Sequence, residues 1–176
     1  SDLNLSGGMK QKLALSCTLI HTPEALFLDE PTTGVDPVSR REFWNLLAEI
    51  KRNGAAIVVS TPYMDEASRC DRVGFMHNGE LIREGAPGDF PKKYPYEILA
   101  IRSPDIVRRT RKLDFPPVVL GSRSFGDRIH LNVENAETAE PAIRGFLAAR
   151  GLPDVSIERI LPSMEDVFVE DMSHAG

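Results

Sequence analysis

Apolar residues recur at helical and strand spacings in the first half of the chain, and these spacings predict alternating elements. The apolar residues that recur every three to four positions predict helices over residues 7–20, 37–53 and 63–70. Short runs rich in apolar residues predict strands over 25–28, 56–60, 72–77 and 80–84. The last two flank Asn78-Gly79, a turn pair typical of a hairpin. This alternation favours an α/β layer built on a largely parallel sheet.

The helix predicted at 37–53 has clear end signals. Pro37 stands at its first position and Gly54 follows its last, as helix termini prefer. Its core-facing stripe is formed by residues at helical spacing, namely Phe43, Leu46, Leu47 and Ile50.

A different pattern begins after a Pro-, Gly- and Lys-rich segment at 86–95, which we interpret as a linker. The elements predicted beyond it are a strand at 97–102, a helix at 105–113, strands at 118–122 and 128–133, a helix at 136–150 and a strand at 155–161. The order β-α-β-β-α-β matches the ferredoxin-like arrangement. A last helix is predicted over 163–172, with Ser163 as its cap and Asp166 three residues later. We therefore expect two domains, 1–89 and 90–176.

Composition narrows the functional classes. The chain has 176 residues, 41% of them hydrophobic and 27% charged, which suits a globular protein. A formal net charge of -5 argues against a nucleic-acid partner. Cys17 and Cys70 lie outside any CxxC pattern, so a reducing compartment such as the cytoplasm is favoured. No apolar stretch approaches the roughly 18 residues that cross a membrane, so membrane association is expected only through a partner.

Two segments carry candidate chemistry. Residues 5–11 (LSGGMKQ) stand at the start of a predicted helix, where glycines let the backbone approach a ligand and exposed amides attract anions. Taken alone, this segment could equally be a capped helix after a flexible loop. Asp29-Glu30 ends an apolar strand, the position where open α/β sheets bind ligands. One of these acids can hold Mg²⁺ and its neighbour can polarise an attacking water, although solvated acids at a strand end are the simpler alternative.

Together these segments resemble the motifs of ABC-type ATPases. LSGGMKQ resembles the signature motif, LFLDE (26–30) resembles Walker B, and TGVD (33–36) resembles the D-loop. The resemblance covers about residues 3–89 well. Residues 162–168 (PSMEDVF) are similar to the ending of ABC-2 class drug and polysaccharide exporters. The chain is thus identified as resembling the C-terminal portion of an exporter ATP-binding subunit, an α/β fold with a partial P-loop NTPase sheet followed by a small ferredoxin-like domain.

The resemblance implies roles for individual residues. Four residues would contact the γ-phosphate of ATP held by the opposite subunit of a head-to-tail pair: Ser6, Gly7, Gly8 and Gln11. Asp29 would orient Mg²⁺, Glu30 would be the general base, and Asp36 would communicate across the interface. The implied cofactors are ATP and Mg²⁺. The implied partners are a second ATPase domain and transmembrane permease subunits, with the protein peripheral on the cytoplasmic face of the membrane.

Two departures from the family pattern stand out. No GxxxxGK[ST] occurs in the sequence, so the usual cradle for the β- and γ-phosphates is missing and we expect the chain alone to be inactive. The position of the family's switch histidine, after Ser60-Thr61, is occupied by Pro62, which has no imidazole to offer a γ-phosphate. Either hydrolysis at this site is slow or Glu30 suffices without the histidine.

Two rival interpretations remain open. One is a non-transport ABC protein with the same ATP chemistry, against which residues 63–73 and the PSMEDVF segment both speak. The other is a regulatory or binding module whose ATP motifs have degenerated, an interpretation that Pro62 favours and the intact Asp29 and Glu30 oppose. We also expect the edges of the sheet at 25–28 and 56–59 to invite pairing with another chain.

Overall fold

The computed structural model describes residues 23–102 and 113–174 together with Met9, Leu13 and Cys17. The chain divides into two compact units, Ser1–Ala67 and Ser68–Gly176. This division lies earlier in the chain than the predicted domain boundary between residues 89 and 90. The boundary at 89/90 between two functional domains stays a prediction. Mixed helices and sheets in both units confirm the predicted α/β class.

The first unit is built on two parallel strands. Its elements are β1 (Ala25–Asp29), α1 (Pro37–Arg52), β2 (Ala56–Ser60) and the short α2 (Met64–Ala67). The strands pair in register from Ala25 opposite Ala56 to Asp29 opposite Ser60. Apolar runs of this kind are typical of buried strands, but here one face is open, since Phe27 is 78% exposed and Val58 opposite it 55% exposed. An apolar patch therefore lies open on this sheet, whereas its pairing with another chain stays a prediction.

Helix α1 begins and ends as its sequence predicts. Pro37 occupies the first turn, Asn53 caps the carboxyl end, and Gly54 follows with φ +101°. Its buried residues are Phe43, Trp44, Leu47 and Ile50. Trp44 is thus buried where Leu46 was expected, and Leu46 lies half-buried at the border of the stripe.

The predicted hairpin forms, whereas the helix predicted at 63–70 and the linker predicted at 86–95 differ from the structure. The hairpin is formed by β3 (Val73–His77) and β4 (Glu80–Gly85), with Asn78 and Gly79 in the turn. The helix predicted over 63–70 is only the single turn α2. The predicted linker holds two 3₁₀ turns, Pro87–Asp89 and Pro91–Lys93. Phe90 between them is 2% exposed and lies 4.6 Å from the ring of Phe75, so this segment is packed rather than loose.

A four-stranded antiparallel sheet forms the core of the second unit. Its strands are β5 (Glu97–Arg102), β6 (Gly121–Phe125), β7 (Arg128–Val133) and β8 (Ser156–Ile160), in the spatial order β6-β7-β5-β8. Helix α3 (Ala136–Ala148) covers one face with Ala139, Ile143 and Leu147, all fully buried. Counted within this segment, the strand order is 2-3-1-4, which agrees with a ferredoxin-like sheet, and the complete β-α-β-β-α-β arrangement stays a prediction. The helix predicted at 105–113 lies almost wholly outside the described residues.

Strand β6 lies three residues further along the chain than predicted. Its pairing runs from Gly121 opposite Asn132 to Phe125 opposite Arg128, with a two-residue turn between them. A hairpin turn fixes the register, so the strand must continue to Phe125. The apolar Val118 and Val119, which suggested the earlier strand, pack against the core from the loop.

The last helix, α4 (Met164–His174), begins with the predicted cap. Ser163 N and Oγ donate to Asp166 Oδ2 at 2.8 and 2.6 Å, and Asp166 N donates back to Ser163 Oγ at 3.2 Å. This reciprocal pattern is a capping box with Asp in place of the usual Glu. In the described part of the chain, no helix is long and apolar enough to span a membrane.

Candidate functional site

The acids that end β1 lie beside the end of β2. Because the two strands are parallel and in register, Asp29 lies opposite Ser60. Ser60 Oγ donates a hydrogen bond to Asp29 Oδ1 and accepts one from Glu30 N at 3.2 Å. Glu30 N also donates to the Ser60 carbonyl at 3.0 Å. Ser60 thus holds both candidate acids at the carboxyl edge of the sheet.

Glu30 is held in an unusual backbone conformation. Its φ is +42°, in the left-handed region that non-glycine residues rarely adopt. A tight turn follows, in which Thr33 N donates to the Glu30 carbonyl at 3.2 Å. Thr33 Oγ1 also donates to Glu30 Oε2 at 3.1 Å. Strain of this kind, about 1–3 kcal/mol per residue, persists where surrounding contacts enforce it and is common at functional sites.

Both carboxylates are exposed at this edge, so they are accessible to a ligand. Among the described residues, no group of three or more His, Cys, Asp or Glu side chains is arranged to hold a metal ion. Mg²⁺ in nucleotide sites is commonly bound by one or two protein carboxylates and completes its shell with waters and phosphate oxygens. The exposed Asp29 carboxylate is a side chain of the type that Mg²⁺ takes.

Asp36 has a local structural role. Its Oδ1 caps α1 by accepting from Val38 N at 3.1 Å and Ser39 N at 3.0 Å. The hydrogen bond from the Ser39 backbone, followed by that from its side chain, lowers the pKa of Asp36 below its ordinary value of 3.8. The exposed carboxylate therefore stays ionised at neutral pH at the first turn of α1.

Pro62 stands exposed two residues after the end of β2. The preceding Thr61 is fixed by its hydroxyl, which donates to Glu66 Oε2 at 2.7 Å and accepts from Tyr63 N at 3.1 Å. The loop therefore has a defined conformation without a histidine. The signature-motif candidates Ser6, Gly7, Gly8 and Gln11 lie outside the described residues.

Sequence reasoning missed the hydroxyls that position the acids. Ser60 and Thr33 bond directly to Asp29 and Glu30, yet neither belongs to the residues singled out as chemical. The signal for Ser60 was present, since parallel pairing of two strands of five residues places their last residues side by side. The role of Thr33 depends on the turn at Glu30, which the sequence alone does not specify.

Comparison with known proteins tests the family resemblance. A family model described as "AAA domain, putative AbiEii toxin, Type IV TA system" matches residues 3–62. The chain is 38% identical over 177 residues to the probable multidrug ABC transporter ATP-binding protein YbhF of Escherichia coli K12, an alignment that covers 98% of this chain and 29% of that protein. It is 33% identical to the Nod factor export ATP-binding protein I of Burkholderia pseudomallei 1710b, over 94% of this chain and 52% of that protein.

One solved structure resembles part of this chain. The ADP conformation of MJ1267, an ATP-binding cassette of an ABC transporter, matches 49% of this chain and 34% of its own with a TM-score of 0.46 and 28% identity. The identification rests on the sequence relatives, which align over nearly the whole chain.

The chain is thus homologous to the ATP-binding proteins of ABC transporters. Within that family, the two relatives named above are a probable multidrug ABC transporter ATP-binding protein and a Nod factor export ATP-binding protein. The chain spans 29% of the length of the first relative and 52% of the length of the second.

Proposed function

We propose that this chain is part of the ATP-hydrolysing subunit of an ABC exporter, which couples ATP binding and hydrolysis to transport. The observation that carries the proposal is the pair Asp29-Glu30, presented to solvent at the carboxyl edge of a parallel sheet and fixed by Ser60 and Thr33. The similarity to a Nod factor export ATP-binding protein supports the direction of transport.

Each acid has a distinct role in this proposal. Glu30 is the general base, because its exposed carboxylate can accept a proton from water while its backbone is locked in the turn. Asp29 binds Mg²⁺, which when present neutralises charge on the β- and γ-phosphates. Ser6, Gly7, Gly8 and Gln11 bind the γ-phosphate of the ATP that the partner domain holds, and Asp36 lies at that interface.

The partners follow from the same proposal. A second ATPase domain pairs head to tail with this one, and transmembrane permease subunits transmit its closure to the substrate. The protein is then peripheral on the cytoplasmic face of the membrane. Since the sequence lacks GxxxxGK[ST], the chain by itself binds ATP weakly and does not turn it over.

The test compares two glutamates at opposite ends of β1 in the complete subunit that contains this sequence. Glu30→Gln removes the base, and we expect MgATP hydrolysis to fall by about 10²–10⁴-fold while ATP binding persists. Glu24→Gln makes the same chemical change at the exposed residue just before the strand and serves as the matched control.

Two results would contradict the proposal. One is a Glu30→Gln subunit that hydrolyses MgATP as fast as the control. The other is a native subunit that neither binds nor hydrolyses MgATP, which would favour a regulatory module with a degenerate site. Tight ATP binding or ATP turnover by this chain alone would show that the GxxxxGK[ST] loop is not required.

A further inference from the structure

Glu66, in the short helix α2, is a fully buried carboxylate at 0% exposure. Both of its oxygens are hydrogen-bonded to threonine hydroxyls. Thr32 Oγ1 donates to Oε1 at 2.6 Å and Thr61 Oγ1 donates to Oε2 at 2.7 Å. A buried acid that is bonded on both oxygens is costly to remove, because its donors would be left without acceptors.

The two donors belong to the two loops that carry the site. Thr32 lies in the turn after β1, two residues from Glu30 and beside Thr33, whose hydroxyl holds the Glu30 carboxylate. Thr61 directly follows Ser60, the residue that holds Asp29 and the Glu30 amide. The Glu66 side chain therefore connects the turn after β1 with the loop after β2.

A residue of helix α1 also contacts the Glu66 carboxylate. Arg40, in the first turns of α1, places Nε 3.5 Å from Glu66 Oε1. The same guanidinium lies 4.9 Å from the centre of the Tyr63 ring and bonds Asp65 Oδ2 at 2.9 Å. The start of α1, which Asp36 caps, is thus linked to the loop after β2 through Glu66 and its neighbours.

We propose that Glu66 is a positioning residue for ATP hydrolysis, acting through Thr32 and Thr61 to hold Glu30 in its strained conformation. This inference rests on the function proposed above. At 0% exposure the Glu66 carboxylate does not reach a substrate, so it acts only through the residues that it binds. A left-handed Glu30 requires contacts that enforce it, and Glu66 anchors the turn that does so.

Glu66→Gln is the direct test because it keeps the shape and changes the hydrogen bonding. If the new amide nitrogen faces Thr32, the Thr32 hydroxyl loses its acceptor, and the amide N–H and the Arg40 Nε–H, both donors, face each other. If it faces Thr61, the Thr61 hydroxyl proton loses the acceptor that Glu66 Oε2 supplies. Either orientation loosens one of the two loops.

The measurement is steady-state MgATP hydrolysis by the complete subunit that contains this sequence. We expect Glu66→Gln to lower kcat by about 10- to 100-fold, the cost of a misplaced catalytic group, with KM changed by less than about 3-fold. Glu49→Gln, the same change on the exposed face of α1, is the matched control and is expected to leave both constants unchanged.

A second pair of variants covers the case in which Glu66→Gln does not fold. Thr32→Val removes the hydroxyl while keeping the branched shape, and Thr32→Ser keeps the hydroxyl. We expect the valine variant to lose kcat as Glu66→Gln does and the serine variant to retain most of it. Rescue by serine is the result that a merely space-filling role would not produce.

The outcomes separate this inference from the proposed function. If Glu66→Gln and Thr32→Val lower thermal stability but leave kcat unchanged, Glu66 is structural only and the inference is wrong. If turnover depends on Glu30 but not on Glu66, the inference fails while the proposed function stands. If turnover is insensitive to Glu30→Gln, it is the proposed function that fails.

Discussion

The contact between His130 and Asp166 in the second unit allows a quantitative prediction for Asp166→Ala. Asp166 is 1% exposed, and its Oδ1 lies 2.7 Å from Nδ1 of His130, itself only 7% exposed. Its other oxygen accepts from Ser163 N and Oγ at the start of α4. One carboxylate therefore completes the capping box of α4 and bonds one nitrogen of a buried imidazole at the same time.

The magnitude follows from these two roles. Loss of the hydrogen bonds from Ser163 in the capping box costs about 1 kcal/mol, and a buried donor left without an acceptor costs about 1–3 kcal/mol. We expect Asp166→Ala to lower the free energy of unfolding by about 2–4 kcal/mol. Glu165→Ala changes the exposed neighbour in the same turn and should cost less than about 0.5 kcal/mol.

The assay is urea denaturation combined with hydrogen exchange, read by mass spectrometry over peptides from β7 and α4. Faster exchange in both elements of the Asp166→Ala variant would locate the loss at the His130 contact and the cap. Equal unfolding free energies for Asp166→Ala and Glu165→Ala would refute the reasoning, because the buried contacts would then carry no net stabilisation.

The remaining predictions concern pH and three further positions. Burial acts to raise the pKa of Asp166, but hydrogen bonds from His130 and Ser163 outweigh it, and the pKa lies below the ordinary 3.8. The ionised Asp166 carboxylate therefore stabilises the fold fully above 3.8, and this stabilisation is lost as pH falls through the lower pKa of the folded state. Between about pH 5 and about pH 2, the urea midpoint should fall more steeply for the native chain than for Asp166→Asn. Phe90→Ala should cost about 3–5 kcal/mol by urea denaturation if residues 86–95 are packed, and almost nothing if they are a loose linker. Gly34→Ala, at φ +74° in open space, should cost about 1–2 kcal/mol from backbone strain alone, with unchanged stability as the contrary result. Ser60→Ala should reduce MgATP turnover by the complete subunit because it removes the hydroxyl that bonds Asp29 Oδ1 and Glu30 N, and turnover equal to the native rate would contradict that role.

The sequence predicted elements best where local signals and periodicity agree. Strands β2, β5 and β7 have the predicted bounds, and α1 differs by one residue, because apolar patterning and end signals coincide there. Strand β6 was displaced because tertiary pairing with β7 overrode the apolar Val118 and Val119. Phe90 was missed because a single apolar residue among prolines and lysines carries no period.

At the site, motifs identified the acids but not their supports. Asp29 and Glu30 stand out by their place at a strand end, whereas the hydrogen bond from Thr32 to Glu66 arises only when two loops meet. Thr32 and Glu66 are 34 positions apart and have no shared local pattern to read. Contacts of this kind require the folded arrangement.

Trp44 makes the first unit optically distinct. It is the chain's only tryptophan, is 8% exposed on α1, and belongs to the unit that holds Asp29 and Glu30. Two of the three tyrosines, Tyr94 and Tyr96, belong to the other unit. Emission excited at the red edge of the indole band therefore follows the first unit alone, while far-ultraviolet circular dichroism averages both. The native chain thus carries its own fluorophore for asking whether the two units melt in one step or two.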